Sequence, residues 1–77
     1  MNKARRKRIE DVQSQVEALK QEIDSILAEE QEAYDNMPES LQNGERGEAM
    51  QEAIDALESA VSSCEELDEY LTSAAEQ

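Results

Sequence analysis

Residues 9–37 read IEDVQSQVEALKQEIDSILAEEQEAYDNM. Within this stretch Ile9, Val12, Val16, Leu19, Ile23, Ile26, Glu30, Ala33 and Met37 follow one another in alternating steps of three and four. That spacing returns each side chain to one face of an α-helix, and its strict repeat of seven makes a heptad seam that winds gently left-handed around another helix. With Ile9 as position a, every a and d site is apolar except Glu30. Leu27 and Tyr34, at successive e positions, widen the stripe. The residues between are mostly Glu, Gln, Asp, Ser and Ala, which tolerate both water and helix. The pattern predicts a helix over about residues 3–35, about 50 Å long.

Downstream, Asp35-Asn36-Met37-Pro38 ends that helix, because the residue before a proline disfavours the α region and Asp and Asn favour turns. A loop over about 36–44 follows, in which Pro38 can open a short turn through Glu39, Ser40 and Leu41, with Leu41 expected to fold back over the end of the hairpin. Asn43-Gly44 supplies a second break and an N-cap, and Glu45 and Glu48 suit the positive end of a following helix. That helix, over about 45–75, carries its own seam of Met50, Ile54, Leu57, Val61, Cys64, Asp68 and Leu71, which puts Cys64 at d. Ala53, Ala60, Leu67 and Ala74 repeat every seven residues along one flank, and the small alanines among them allow another backbone to come close.

Two long amphipathic helices with a short connection predict an all-α fold, a single antiparallel two-helix hairpin over residues 1–77. One seam on each helix makes a thin core, so two hairpins are expected to associate into a four-helix bundle, a homodimer. Ala53, Ala60, Leu67 and Ala74, with Leu27 and Tyr34, are the expected self-association residues.

Composition narrows the function. The chain has 77 residues, no His, no Trp, no Phe and a single cysteine, Cys64. That leaves no Cys/His zinc site, no histidine base and no disulfide within the chain. No catalytic, cofactor-binding or metal-binding residue is nominated, and no cofactor is called for; an enzyme is not expected. Glu30 and Asp68, the carboxylates in the two seams, are read as register-setting residues, since no Glu-x-x-His repeat or calcium loop accompanies them. Cys64, inward-facing and followed by Glu65 and Glu66, is read as a small hydrophobe, not a reactive thiol. Leu, Ile and Val number only 13 against a formal net charge of −13, a balance that by itself argues for disorder; their helical periodicity argues for a fold.

Charge placement is the sharpest anomaly. Five of the seven basic residues are Lys3, Arg5, Arg6, Lys7 and Arg8, at the start of a helix where cations oppose the macrodipole. One reading is compensation, the cluster pairing across the hairpin with Glu65, Glu66, Asp68, Glu69 and Glu76. Another is a partner contact by Arg5, Arg6, Lys7 and Arg8, although the acidic body disfavours direct nucleic-acid binding. Met37, Pro38 and Leu41 in the loop are a second candidate contact surface. Carboxylates at helical spacing, Glu45, Glu48, Glu52, Asp55 and Glu58, are candidate phosphate mimics. The basic start runs into Ile9-Glu10-Asp11-Val12 in place of an apolar signal core, no stretch reaches membrane-spanning length, and the lone thiol suits a reducing compartment, so a cytoplasmic address without membrane contact is expected.

The stretch from Glu29 to Gln42, EEQEAYDNMPESLQ, followed by Glu45-Arg46-Gly47-Glu48-Ala49-Met50, resembles small acidic proteins of unassigned function from gut bacteria and their phages. The resemblance implies a helical hairpin and an origin in phage or prophage, and it transfers no catalytic or binding residue. Two functions are carried forward: a non-enzymatic helical protein that self-associates as an assembly or adaptor module with an unidentified protein partner, and an acidic nucleic-acid mimic inhibiting a DNA- or RNA-binding protein such as a defence nuclease.

Overall fold

The computed structural model of the chain describes all residues from Met1 to Gln77. Helix α1 spans Lys3–Asp35, a short helix α2 spans Glu39–Gln42, and helix α3 spans Glu45–Glu76; there is no strand. Asn2 caps α1, its Oδ1 accepting from the Arg5 backbone N–H at 2.8 Å. Gly44 takes the N-cap place of α3 without a side-chain hydrogen bond, so the acidic Glu45 and Glu48 in the first turn are what answers the positive end of the dipole.

The connection is more ordered than a plain loop. Pro38 cannot continue α1, but its carbonyl accepts from Leu41 at 2.9 Å and Gln42 at 3.1 Å, and these bonds wind α2. Gln42 then reaches back, its Nε2 donating at 2.8 Å to the Tyr34 carbonyl, which also accepts from the Met37 backbone N–H at 3.1 Å at the end of α1. Its backbone rests on α3 at Gly47, which is buried. A Cβ at Gly47 would overlap the Gln42 carbonyl and lie 2.6 Å from the Gln42 Cα. Leu41 does not fold away over the hairpin end as the sequence reading expects; it stays 47% exposed, because α2 turns Gln42 inward instead.

α1 and α3 run antiparallel, tied by Gln13 to Asp68 and Thr72 and by Arg6 to the Ala75 carbonyl. The Cα atoms occupy 58 × 15 × 11 Å, and the radius of gyration is 17.4 Å, against about 11–12 Å for a compact domain of this length. This is a single layer of two helices. Its buried apolar residues are Val16, Ile54 and Cys64.

The seam of α3 runs through Met50, Ile54, Leu57, Val61, Cys64 and Leu71, each buried or half-buried, while Asp68 stays exposed. On α1 the inward positions are a and e, not a and d. Ile9, Val16 and Ile23 alternate with Gln13, Lys20 and Leu27, all buried or half-buried, whereas Val12, Leu19 and Ile26 are 42, 54 and 45% exposed. α1 is thus turned by about 50° from the expected a/d register. Polar contacts accompany the turn: Gln13 donates at 2.9 Å to Thr72 Oγ1 and at 3.2 Å to Asp68 Oδ1, and Lys20 lies 3.6 Å from Glu65. The e line holds these donors, and the d line is left outside.

Gly47→Ala is expected to lower stability by about 1–3 kcal/mol, overlap with Gln42 outweighing the better helix propensity of alanine. Gly44→Ser, where the nearest atom to a Cβ is the Leu41 carbonyl at 3.6 Å, is expected to be neutral or to stabilise by a few tenths of a kcal/mol as a new N-cap. Urea titrations followed by circular dichroism measure both.

Candidate interaction surface

The geometry of the hairpin sorts its residues onto two sides. On α1 the d positions, and on α3 the g positions, each lie about 80° from the direction of the seam, in the same rotational sense viewed along each helix from its N-terminus. Because the helices are antiparallel, equal rotations bring both lines to the same side of the pair. One side of the layer therefore carries Val12, Leu19 and Ile26 from α1 beside Ala53, Ala60 and Leu67 from α3. Ala49, Ala56, Ser63 and Tyr70, again seven apart, lie next to the g line. Together the two α3 lines run from Ala49 to Ala74 without a charged side chain. Leu67 is 44% and Tyr70 73% exposed, so the strip is open along with the α1 line.

The other side is acidic. It holds the Gln13–Asp68 and Lys20–Glu65 contacts, and around them Glu10, Glu17 and Asp24 of α1 and Asp55, Glu58 and Glu69 of α3. All of these carboxylates are exposed, as are Glu45, Glu48 and Glu52. Like charges gather where water screens them, which is the cheaper placement for a chain with so few cations.

No residue of the basic cluster forms an ion pair across the hairpin. The two ion pairs of the chain are Lys7–Asp11, four residues apart on one exposed helix surface, and Lys20–Glu65. Of the carboxylates expected to compensate the cluster, Glu65 pairs with Lys20, and Glu66, Asp68, Glu69 and Glu76 pair with no cation. Arg6 spends its Nε on the Ala75 carbonyl at 2.9 Å, a favourable contact with the negative end of α3. Lys3, Arg5 and Arg8 have no ionic partner. Arg5 and Arg8 line, with Met1, Ile9 and Val12, a shallow groove of about 270 Å³ that opens on the uncharged side at the end where the chain termini meet.

The remaining candidates fall in different places. Leu27 and Tyr34, expected at a self-association surface, are half-buried on the edge of α1 that meets α3, and the open apolar line of α1 is Val12, Leu19 and Ile26 instead. Ala53 is exposed, Ala60 and Ala74 half-buried. Met37 is half-buried while Pro38 is exposed. Glu30 is half-buried without a cation beside it, and no three carboxylates or thiols gather within reach of a metal ion. Cys64 is 7% exposed in the seam. No helix is long and apolar enough to cross a membrane.

Gln13, Lys20, Gln42 and Gly47 are the structural residues the sequence reading passed over. A signal existed for the first two, which share the e line with Leu27 and Tyr34; nothing in the sequence marks Gln42 and Gly47 as a contact. The uncharged run at c and g of α3 was likewise legible as a second heptad line. Comparison with known proteins finds no matching family model, no matching curated protein and no matching solved structure.

Burial of Cys64 predicts that its thiol reacts with Ellman's reagent at least about tenfold more slowly in the folded protein than in denaturant, because labelling waits for the seam to open. A rate equal to that of the denatured chain would place Cys64 outside the seam.

Proposed function

We propose that this chain is a non-enzymatic helical interaction protein that self-associates through its uncharged side and serves as an assembly or adaptor module. The observation carrying this reading is the division of the hairpin into an acidic side and an uncharged one. A layer with Val12, Leu19, Ile26 and Leu67 open to water leaves large aliphatic side chains unburied, each worth about 1.5–3 kcal/mol on full burial. A second layer placed on that side completes a four-helix arrangement and supplies the core that one layer lacks. The acidic sides then face outward and keep the assembly dispersed.

A second reading draws on the acidic side. Glu45, Glu48, Glu52, Asp55 and Glu58 are all exposed and in no ion pair, a row of fixed negative charge that suits the basic groove of a nucleic-acid-binding protein. The two readings use opposite sides and are separable. Changing these five residues to Gln or Ser leaves self-association intact in both, and abolishes capture of a basic protein under the second alone.

Sedimentation equilibrium tests the main reading. The protein is expected to dimerise at micromolar to submillimolar concentration and to tolerate high salt, since the contact is apolar. Leu19→Glu or Ile26→Glu, which places an unpaired carboxylate in the contact from each copy, is expected to weaken the dimer by about a hundredfold or more. A wild-type chain that stays monomeric throughout contradicts the reading.

A further inference from the structure

Resting on that self-association reading, we propose that the second copy lies antiparallel to the first, related by a twofold axis that crosses the uncharged side near Leu19. In this arrangement α1 packs on α1 of the second copy and α3 on α3. The alternative closed pairing sets the two hairpins side by side with their turns at the same end, and places α1 on α3.

Charge decides between them first. The turn end, residues 28–52, holds eight carboxylates, Glu29 to Glu52, against Arg46 alone, whereas the opposite end holds five of the seven cations. Stacking turn on turn brings the two most acidic regions together. The antiparallel axis at Leu19 instead sets residue 8 of α1 level with residue 30 of the second copy. Arg8, at the rim of the uncharged side and without an ionic partner, then meets Glu29 and Glu30, and Arg5 lies one turn further along. Glu30, half-buried without a cation in its own hairpin, gains one.

Side-chain size agrees independently. The contacts of Gln13 with Asp68 and Thr72, of Lys20 with Glu65 and of Arg6 with the Ala75 carbonyl fix the stagger of the hairpin, and together they set Leu19 level with about residue 64 of α3. The same axis therefore crosses α3 there. Its uncharged strip is small on one side of that point, at Ala53, Ala56 and Ala60, and large on the other, at Leu67 and Tyr70. An antiparallel copy lays Leu67 over Ala60 and Tyr70 over Ala56, large into small, with Ala74 over Ala53 at the ends of the strip. On α1, Val12 meets Ile26 and Leu19 meets its own copy. A face about 58 by 15 Å offers roughly 900 Å² per copy, comparable to the about 800 Å² per partner of a standard-size stable interface.

Single cysteines in a Cys64→Ser background test this geometry, with mass measured by sedimentation on the same samples. Under mild oxidation Leu19→Cys is expected to bridge to its own copy. Val12→Cys and Ile26→Cys are each expected to stay unbridged alone, their own copies being about 20 Å apart along the axis, and to bridge when mixed. Arg5→Glu with Arg8→Glu is expected to weaken the dimer by about tenfold or more, and adding Glu29→Arg with Glu30→Arg to restore it. A dimer that forms no Leu19→Cys bridge and no mixed bridge, or whose charge swap restores nothing, overturns the arrangement while leaving self-association standing. A monomeric wild-type chain overturns both, and leaves the uncharged side to a different protein.

Discussion

A helix lying beside one other helix covers only a narrow stripe of it, and α1 carries more apolar surface than one stripe holds. Its a line of Ile9, Val16 and Ile23 is flanked on one side by d, with Val12, Leu19 and Ile26, and on the other by e, with Leu27 and Tyr34. α3 can take a with d or a with e, but not all three. The structure takes a with e, where Gln13 and Lys20 find Asp68, Thr72 and Glu65. Everything else follows from that choice: the polar flank closes against the acidic side of α3, and the d line is turned out beside the small residues of α3 to make an uncharged side.

The turn sustains this register. α1 and α3 are held at their separation by Gln42, whose side chain ends α1 at the Tyr34 carbonyl and whose backbone lies against Gly47. A residue with any side chain at 47 would push α2 away from α3 and loosen the end of the hairpin opposite the chain termini. The open end has a different fastening, Arg6 on the Ala75 carbonyl, which turns one cation of the basic start into a cap on the negative end of α3, while Lys3, Arg5 and Arg8 stay without an ionic partner.

Much of the architecture is legible in the sequence because heptad spacing is a local property of the chain. Two long helices broken between Asp35 and Gly44 follow from Pro38, Asn43 and the alternating threes and fours alone. The rotation of α1 is not legible in the same way. Apolar a and d lines and the e pair of Leu27 and Tyr34 compete for the same face, and which of d and e lies against α3 depends on residues some 45–59 positions away, where Gln13 and Lys20 find Asp68, Thr72 and Glu65. For the same reason Leu27 and Tyr34 exchange places with Val12, Leu19 and Ile26 as candidates for an outer contact. The flank of Ala53, Ala60 and Leu67 could be read directly, since its uncharged side chains repeat every seven residues whatever α1 does. The fate of the basic cluster could not, because pairing depends on which way each guanidinium points, and only Arg6 points across the hairpin.

The central claim is that the hairpin is one layer of a fold that a second layer completes. Thermal unfolding followed by circular dichroism at two protein concentrations about a thousandfold apart tests it most directly, because association with the folded state ties the midpoint to concentration. The account predicts a midpoint that rises with concentration, with helicity falling in the dilute sample. An identical midpoint and full helicity at both concentrations would contradict it, and would make the single hairpin sufficient by itself.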